Sequence, residues 1–140
     1  MRPETETRIR VRYAETDQMG VAYYANYLVW MEVARGELCK ACGFNYIDME
    51  RQDGVLMAVA EANCRYKYPA RYDDEVVIKV WVEEANSRMV TIHYEMVAGE
   101  HVLATGFTRH IYVSREMQRV RLPEKYWPMF GMLVPEQTPR

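Results

Sequence analysis

Polar and apolar residues alternate over positions 8–13, Arg-Ile-Arg-Val-Arg-Tyr, placing Ile9, Val11 and Tyr13 on one face. That period of two predicts a half-buried strand. From Asn26 to about Cys42 the period changes. Tyr27, Trp30, Met31, Ala34, Leu38, Ala41 and Cys42 recur at steps of three and four, while Glu32, Arg35, Glu37 and Lys40 take the other side. This spacing predicts one long amphipathic helix, with Gly43 placed to end it. After a connection from Phe44 to Gly54, the period returns to two in four stretches, roughly 55–67, 75–85, 89–98 and 101–113. Turn chemistry separates them: Pro69-Ala-Arg-Tyr-Asp-Asp, then Asn86-Ser87-Arg88, then the Gly99-Glu100 pair suited to a tight hairpin. Consecutive hairpins make an antiparallel meander.

Within the stretch 55–66, Leu56, Ala58, Ala60, Ala62 and Cys64 share one face, and such small residues would let the bulky helix approach closely. Gly36, in mid-helix, is expected to serve the same contact at a propensity cost of about 1 kcal/mol. Pro123, Pro128, Pro135 and Pro139 limit the tail to one short helix near 124–132, followed by disorder. One helix against a curved antiparallel sheet of about five strands is an α+β architecture, expected to form one domain over residues 1–140. Its two open sheet edges favour self-association, at least as a homodimer.

Composition narrows the function. The chain carries 18 basic and 20 acidic residues, a formal charge of −2, which argues against a nucleic-acid partner. No stretch reaches the roughly 18 apolar residues of a membrane span, and no apolar leader opens the chain, so a cytoplasmic protein is expected. Cys39, Cys42 and Cys64 are too few for a disulfide framework and are expected to be free thiols. Cys39-x-x-Cys42 resembles a redox pair but lies inside the helix rather than at its start. His93, His101 and His110 lack metal-ligand spacing, and no cofactor or metal is expected. A nucleophile elbow, a phosphate-binding loop and a dinucleotide fingerprint are all missing from the sequence.

The chemistry concentrates in Tyr13-Ala-Glu-Thr-Asp-Gln-Met-Gly-Val-Ala-Tyr-Tyr-Ala-Asn-Tyr27, which puts Asp17 in a turn leading through Gly20 to the start of the helix. A carboxylate there can attack a carbonyl carbon or activate a water, while unpaired N–H groups at the helix start, that of Tyr24 or a neighbour, polarise the oxygen. The plain alternative for Asp17 is a turn residue bonding nearby N–H groups. Gly20, Val21, Tyr23, Asn26 and Tyr27 are the candidate substrate contacts around this turn. Asn26 is alternatively the helix N-cap, and the tyrosines are alternatively core or interface aromatics. Glu61, an acid in an apolar strand, is either a second site carboxylate or the partner of Arg65 or of a neighbouring subunit. Arg65, Lys67, Arg71 and Arg88 are candidate phosphate contacts or simply a solvated face.

The segment 11–27, the helix with Glu32 and Arg35, and Arg65-Tyr-Lys-Tyr-Pro-Ala-Arg-Tyr-Asp-Asp-Glu75 together resemble the hotdog-fold acyl-CoA thioesterases of the 4-hydroxybenzoyl-CoA thioesterase type. The resemblance covers about residues 8–122. It implies a helix wrapped by a curved sheet, a homodimer or homotetramer, active sites near the dimer interface, and a small-molecule acyl-CoA substrate. It also implies Asp17 as the catalytic carboxylate. This chain has Glu15 where the family usually has Asp, and Tyr24 where the aliphatic branch carries His. Two rival readings share the architecture: a thioester dehydratase or hydratase, and a non-catalytic module that binds acyl thioesters.

Overall fold

In a computed structural model describing residues 2–132, one antiparallel sheet holds five strands: β1 (Glu4–Arg10), β2 (Val55–Tyr66), β3 (Glu75–Ala85), β4 (Met89–Ala98) and β5 (His101–Ser114). Their spatial order is β1-β3-β4-β5-β2, so β1 and β2 form the two edges. The long helix α1 (Asn26–Ala41) crosses one face of the sheet and touches β1, β2 and β3. This is the expected hotdog arrangement.

Alternation explains the core. Val76, Ile78, Val80 and Val82 of β3 and Val90, Ile92, Tyr94 and Met96 of β4 point to the helix side, where Tyr27, Trp30, Met31, Ala34, Leu38 and Cys39 of α1 meet them. Removing such apolar surface from water stabilises the fold at about 25 cal/mol per Å². The helix ends as Gly43 adopts φ +79°, its N–H reaching Lys40 O at 3.0 Å and the Phe44 N–H reaching Cys39 O at 2.9 Å. This is a Schellman closure, with Phe44 buried beneath it. Gly99, at φ +59°, makes the two-residue turn between β4 and β5.

Several expectations are corrected. Tyr13 does not share a strand face with Ile9 and Val11: the strand ends at Arg10, a 3-10 turn follows at Tyr13–Glu15, and the Tyr13 ring is 78% exposed. The small residues of β2 form no continuous bed for the helix, because a bulge between Val59 and Glu61 breaks the register and leaves Val59, Ala60 and Ala62 exposed. The close approach lies instead at Gly106 of β5, where an added Cβ would sit 2.1 Å from Asn63 O and 2.8 Å from Met31 Cε. Gly36 faces open space, with nothing within 4 Å of a Cβ built there. The connection 44–54 contains a short helix α2 (Tyr46–Asp48) running into one wide helical turn (Met49–Asp53), capped by the Asn45 side chain. The C-terminal helix is a 3-10 segment, Glu124–Phe130, anchored by Tyr126 and Phe130 against Phe44. The expected disordered tail beyond it lies outside the described residues.

Candidate active site

The turn carrying Asp17 is fastened at its base. Thr16 and Ala22 bridge across it, Asp17 N–H donates to Val21 O at 2.9 Å, and Gly20 N–H returns to Asp17 O at 2.9 Å. Gly20 takes φ +77°, a left-handed conformation that a side chain would oppose. Asp17 Oδ1 accepts the Met19 N–H at 2.9 Å, so the carboxylate does act as a turn residue. Its Oδ2 meets no partner among the described residues and remains available for chemistry.

Glu15 fixes this turn to the helix. The carboxylate, 6% exposed, accepts the Arg12 N–H at 2.8 Å, the Arg12 guanidinium at 3.3 Å and the Trp30 indole N–H at 3.0 Å. Burial alone would raise its pKa, but these three donors together hold it below the ordinary carboxylate value. The Glu15 carbonyl accepts the Tyr23 N–H at 2.8 Å and the Asn26 side-chain amide at 2.9 Å. Asn26 is therefore not the helix N-cap. Ala25 holds that position with helical dihedrals and has no polar side chain to cap with, while the Asn26 amide is committed to Glu15.

Among the described residues the N–H groups of Tyr24 and Ala25 meet no acceptor, whereas those of Tyr23, Asn26, Tyr27 and Leu28 do. Tyr66 Oη donates to the Tyr24 carbonyl at 3.0 Å, orienting the Tyr24–Ala25 peptide. Burial, then contact with Cys64, pushes the Tyr66 phenol up to about 12, so it stays a neutral donor.

A cavity of about 300 Å³ opens here, lined by Asp17, Met19, Val21, Ala22, Tyr24, Tyr27 and the segment Tyr66-Lys67-Tyr68-Pro69. It unites Asp17, Tyr24, Val21, Tyr27 and Lys67 of the sequence candidates. Gly20 shapes the turn rather than the wall, and Tyr23 lies outside with its ring 4.7 Å from that of Tyr24. Glu61 sits on β2, paired across strands with Arg109 at 2.8 Å rather than with Arg65. Arg65 is exposed on β2 and lines none of the described cavities, and Arg71 lines a neighbouring groove. Met19, Ala22, Tyr66, Tyr68 and Pro69 complete the wall without being marked by their local pattern, although the motifs at 13–27 and 65–75 contain them.

Elsewhere, Cys39 is buried and its thiol is pushed up to about 12 by burial, then by Cys42, which makes it inert. His110 is buried beside Thr108, with Nε2 at 2.8 Å from Oγ1, and burial pushes its pKa down to about 3. Among the described residues no group of three or more His, Cys, Asp or Glu could hold a metal ion, and no helix is long and apolar enough to cross a membrane.

The chain is similar in sequence and fold to known proteins. The Bacillus subtilis (strain 168) protein YneP, whose name is that of an acyl-CoA thioesterase, is 46% identical over 115 residues, 80% of this chain and 81% of its own. The crystal structure of a DHNA-CoA thioesterase from Staphylococcus aureus superposes with a TM-score of 0.84 at 36% identity, covering 91% of this chain and 86% of that one. A 4-hydroxybenzoyl-CoA thioesterase variant in complex with 4-hydroxybenzoyl-CoA has the same fold, with a TM-score of 0.85 at 14% identity over 91% of this chain and 99% of that one. The family model described as Thioesterase superfamily matches residues 19–105, more than half of the sequence, and the chain belongs to that superfamily of thioester hydrolases.

Proposed function

We propose that the protein hydrolyses the thioester of a small or medium acyl- or aryl-CoA, releasing the free acid and coenzyme A. One observation carries the reading. A carboxylate with one oxygen anchored and the other unpartnered shares a cavity wall with Tyr24, at a helix start that leaves the N–H groups of Tyr24 and Ala25 unpaired. Asp17 attacks the carbonyl carbon to give a mixed anhydride, or deprotonates the water that does so. The oxygen that becomes negative is met by the unpaired amides, reinforced by the dipole of α1. Coenzyme A departs as a stabilised thiolate and needs little help from an acid. Tyr24, Tyr27, Tyr66 and Tyr68 give the cavity an aromatic lining suited to a flat acyl group. The S. aureus relative's name, that of an aryl-CoA enzyme, supports the same substrate class.

The working unit in this proposal is a homodimer or larger homo-oligomer. The edge strand β1 exposes the charged Glu4, Glu6, Arg8 and Arg10, whose desolvation disfavours pairing with a further strand, whereas edge β2 exposes Val59, Ala60 and Ala62 alongside Glu61 and Arg65. Leu28, Val29 and Val33 of α1 are also exposed, between 42% and 48%.

The test is release of free thiol from a panel of short aliphatic, long aliphatic and aryl CoA esters. Turnover is expected with at least one short or aryl member. In Asp17→Asn, kcat is expected to fall by about 10²-fold or more while the fold persists. Unchanged turnover in that variant removes Asp17 from the mechanism.

A further inference from the structure

Among the described residues the two amides that meet no acceptor at the start of α1 are not held alike. Each N–H shares a peptide plane with the carbonyl of the residue before it, so the Tyr24 amide is tied to the Tyr23 carbonyl and the Ala25 amide to the Tyr24 carbonyl. The Tyr23 carbonyl accepts the Asn26 N–H at 2.9 Å, a bond within the helix start itself. The Tyr24 carbonyl accepts the Tyr27 N–H only at 3.3 Å and takes a second donor from outside, the Tyr66 hydroxyl at 3.0 Å, 42 residues further along the chain.

Tyr66 is the last residue of β2, and its surroundings aim it. It pairs with Ala104 of β5, and the Lys67 and Tyr68 N–H groups that follow both turn to Leu103 O, at 2.8 and 3.2 Å. Its ring meets that of Tyr27 at 4.9 Å and 89° and that of Tyr24 at 6.3 Å and 86°, two edge contacts that fix its tilt. Tyr27 is anchored in turn, because its own hydroxyl accepts the Ala70 N–H at 3.2 Å. The thiol of Cys64, two residues back on the same strand face, lies against the Tyr66 hydroxyl.

A carbonyl that accepts two hydrogen bonds draws electron density along its peptide, which makes the N–H at the other end a better donor. The same contact pins the peptide plane and with it the direction of the Ala25 N–H. Both effects act at the wall of the Asp17 cavity, where Tyr24 and Tyr66 stand together.

We infer, on the thioesterase reading above, that Tyr66 is a positioning residue whose hydroxyl, through the Tyr24 carbonyl, aims and strengthens the Ala25 amide toward the thioester oxygen. Tyr66→Phe removes the hydroxyl and leaves the ring contacts, so the fold should persist. Only two Tyr-Ala pairs occur in the sequence, Tyr13-Ala14 and Tyr24-Ala25. The full chain labelled with ¹³C′-tyrosine and ¹⁵N-alanine therefore gives two carbonyl–amide cross-peaks, one of them an internal control. In Tyr66→Phe the Tyr24 carbonyl carbon and the Ala25 amide proton should both move upfield while the Tyr13-Ala14 pair stays in place. Turnover of whichever panel thioester is hydrolysed should show kcat lowered about 10-fold or more, short of the roughly 10²- to 10³-fold of losing a donor outright, with KM changed by less than about 2-fold. Bound to Asp17→Asn, an aryl-CoA carrying ¹³C at the thioester carbonyl should show a lowered carbonyl stretch, and adding Tyr66→Phe should return it part of the way to its value in water. Tyr72→Phe, at an exposed ring that lines none of the described cavities, should leave the Tyr24-Ala25 signals, kcat and the carbonyl stretch as in the parent. Unmoved Tyr24-Ala25 signals, an unchanged kcat, or a fall in kcat without any change in the carbonyl stretch would overturn the role of Tyr66. Failure of every thioester to release thiol from the parent would instead overturn the catalytic reading, and the two cross-peaks would still decide whether the hydroxyl governs the Ala25 amide.

Discussion

Glu15 illustrates how a single residue does more than its place in the motif announces. Its buried carboxylate joins Arg12 and Trp30, and its carbonyl joins Tyr23 and Asn26, so one position holds the Asp17 turn against the start of α1. In Glu15→Ala the Trp30 indole and the Arg12 N–H lose their acceptor, at an expected cost of about 1 to 3 kcal/mol. The urea midpoint should fall accordingly, and, if Asp17 acts as proposed, kcat should fall further than KM rises, because the turn that carries it loses its anchor to α1.

His110 contributes to the loss of stability in acid. It is 1% exposed, and its folded pKa near 3 lies well below the ordinary value of 6.5. Above pH 6.5 both folded and unfolded states hold it neutral, and it has no effect. Between 6.5 and about 3 the unfolded chain binds a proton that the folded chain refuses, so stability falls with decreasing pH by up to about 1.4 kcal/mol per unit. Glu15, whose pKa is lowered on folding, adds its own loss below about 4.5. Chemical denaturation across pH 4 to 8 should show a plateau above 7 and a slope beneath 6.5 that flattens in His110→Gln.

At the scale of elements, the sequence period found the strands and the helix but not their contacts. The boundaries of β3, β4 and α1 follow from alternation, from the three-and-four spacing and from Gly43, all of which are local. The bed beneath the helix was misplaced on β2 because a bulge at Val59/Glu61 breaks the alternation, and a bulge is fixed by pairing with β5 rather than by the strand's own residues. Gly106 occupies the tight position, under Met31 and beside Asn63. Gly106→Ala is therefore expected to destabilise by about 1 to 3 kcal/mol or more through overpacking, visible as a lower Tm with the far-ultraviolet spectrum retained. The helix start was likewise only half legible. Its location was correct to the residue, but Asn26 turns its amide to Glu15 instead of capping, and the Tyr24 and Ala25 amides just ahead of it meet no acceptor among the described residues.

For the whole molecule, the asymmetry of the two sheet edges matters most. Edge β1 is charged, edge β2 exposes Val59, Ala60 and Ala62 alongside Glu61 and Arg65, and α1 exposes Leu28, Val29 and Val33, the apolar surfaces on which the proposed self-association would draw. If the protein self-associates through these surfaces as proposed, Val59→Lys combined with Val33→Lys should lower its mass toward that of a monomer in sedimentation equilibrium. If the site is completed across that interface, thioesterase turnover should fall in the same preparation. No loss of mass in that double variant would move the interface elsewhere.

By itself the sequence determined the periodicities, the turn glycines and the long motif around Asp17, because each depends on residues within one turn or one strand of one another. Only the tertiary structure decided which neighbours those elements acquired: Glu15 under Trp30, Arg109 opposite Glu61, Tyr66 on the Tyr24 carbonyl, and Gly106 beneath the helix. Those choices follow from packing and from the pairing of buried polar groups, which join residues up to dozens of positions apart. No local pattern encodes such distances, since the same Glu, Tyr or Gly serves equally well wherever the fold brings it a partner.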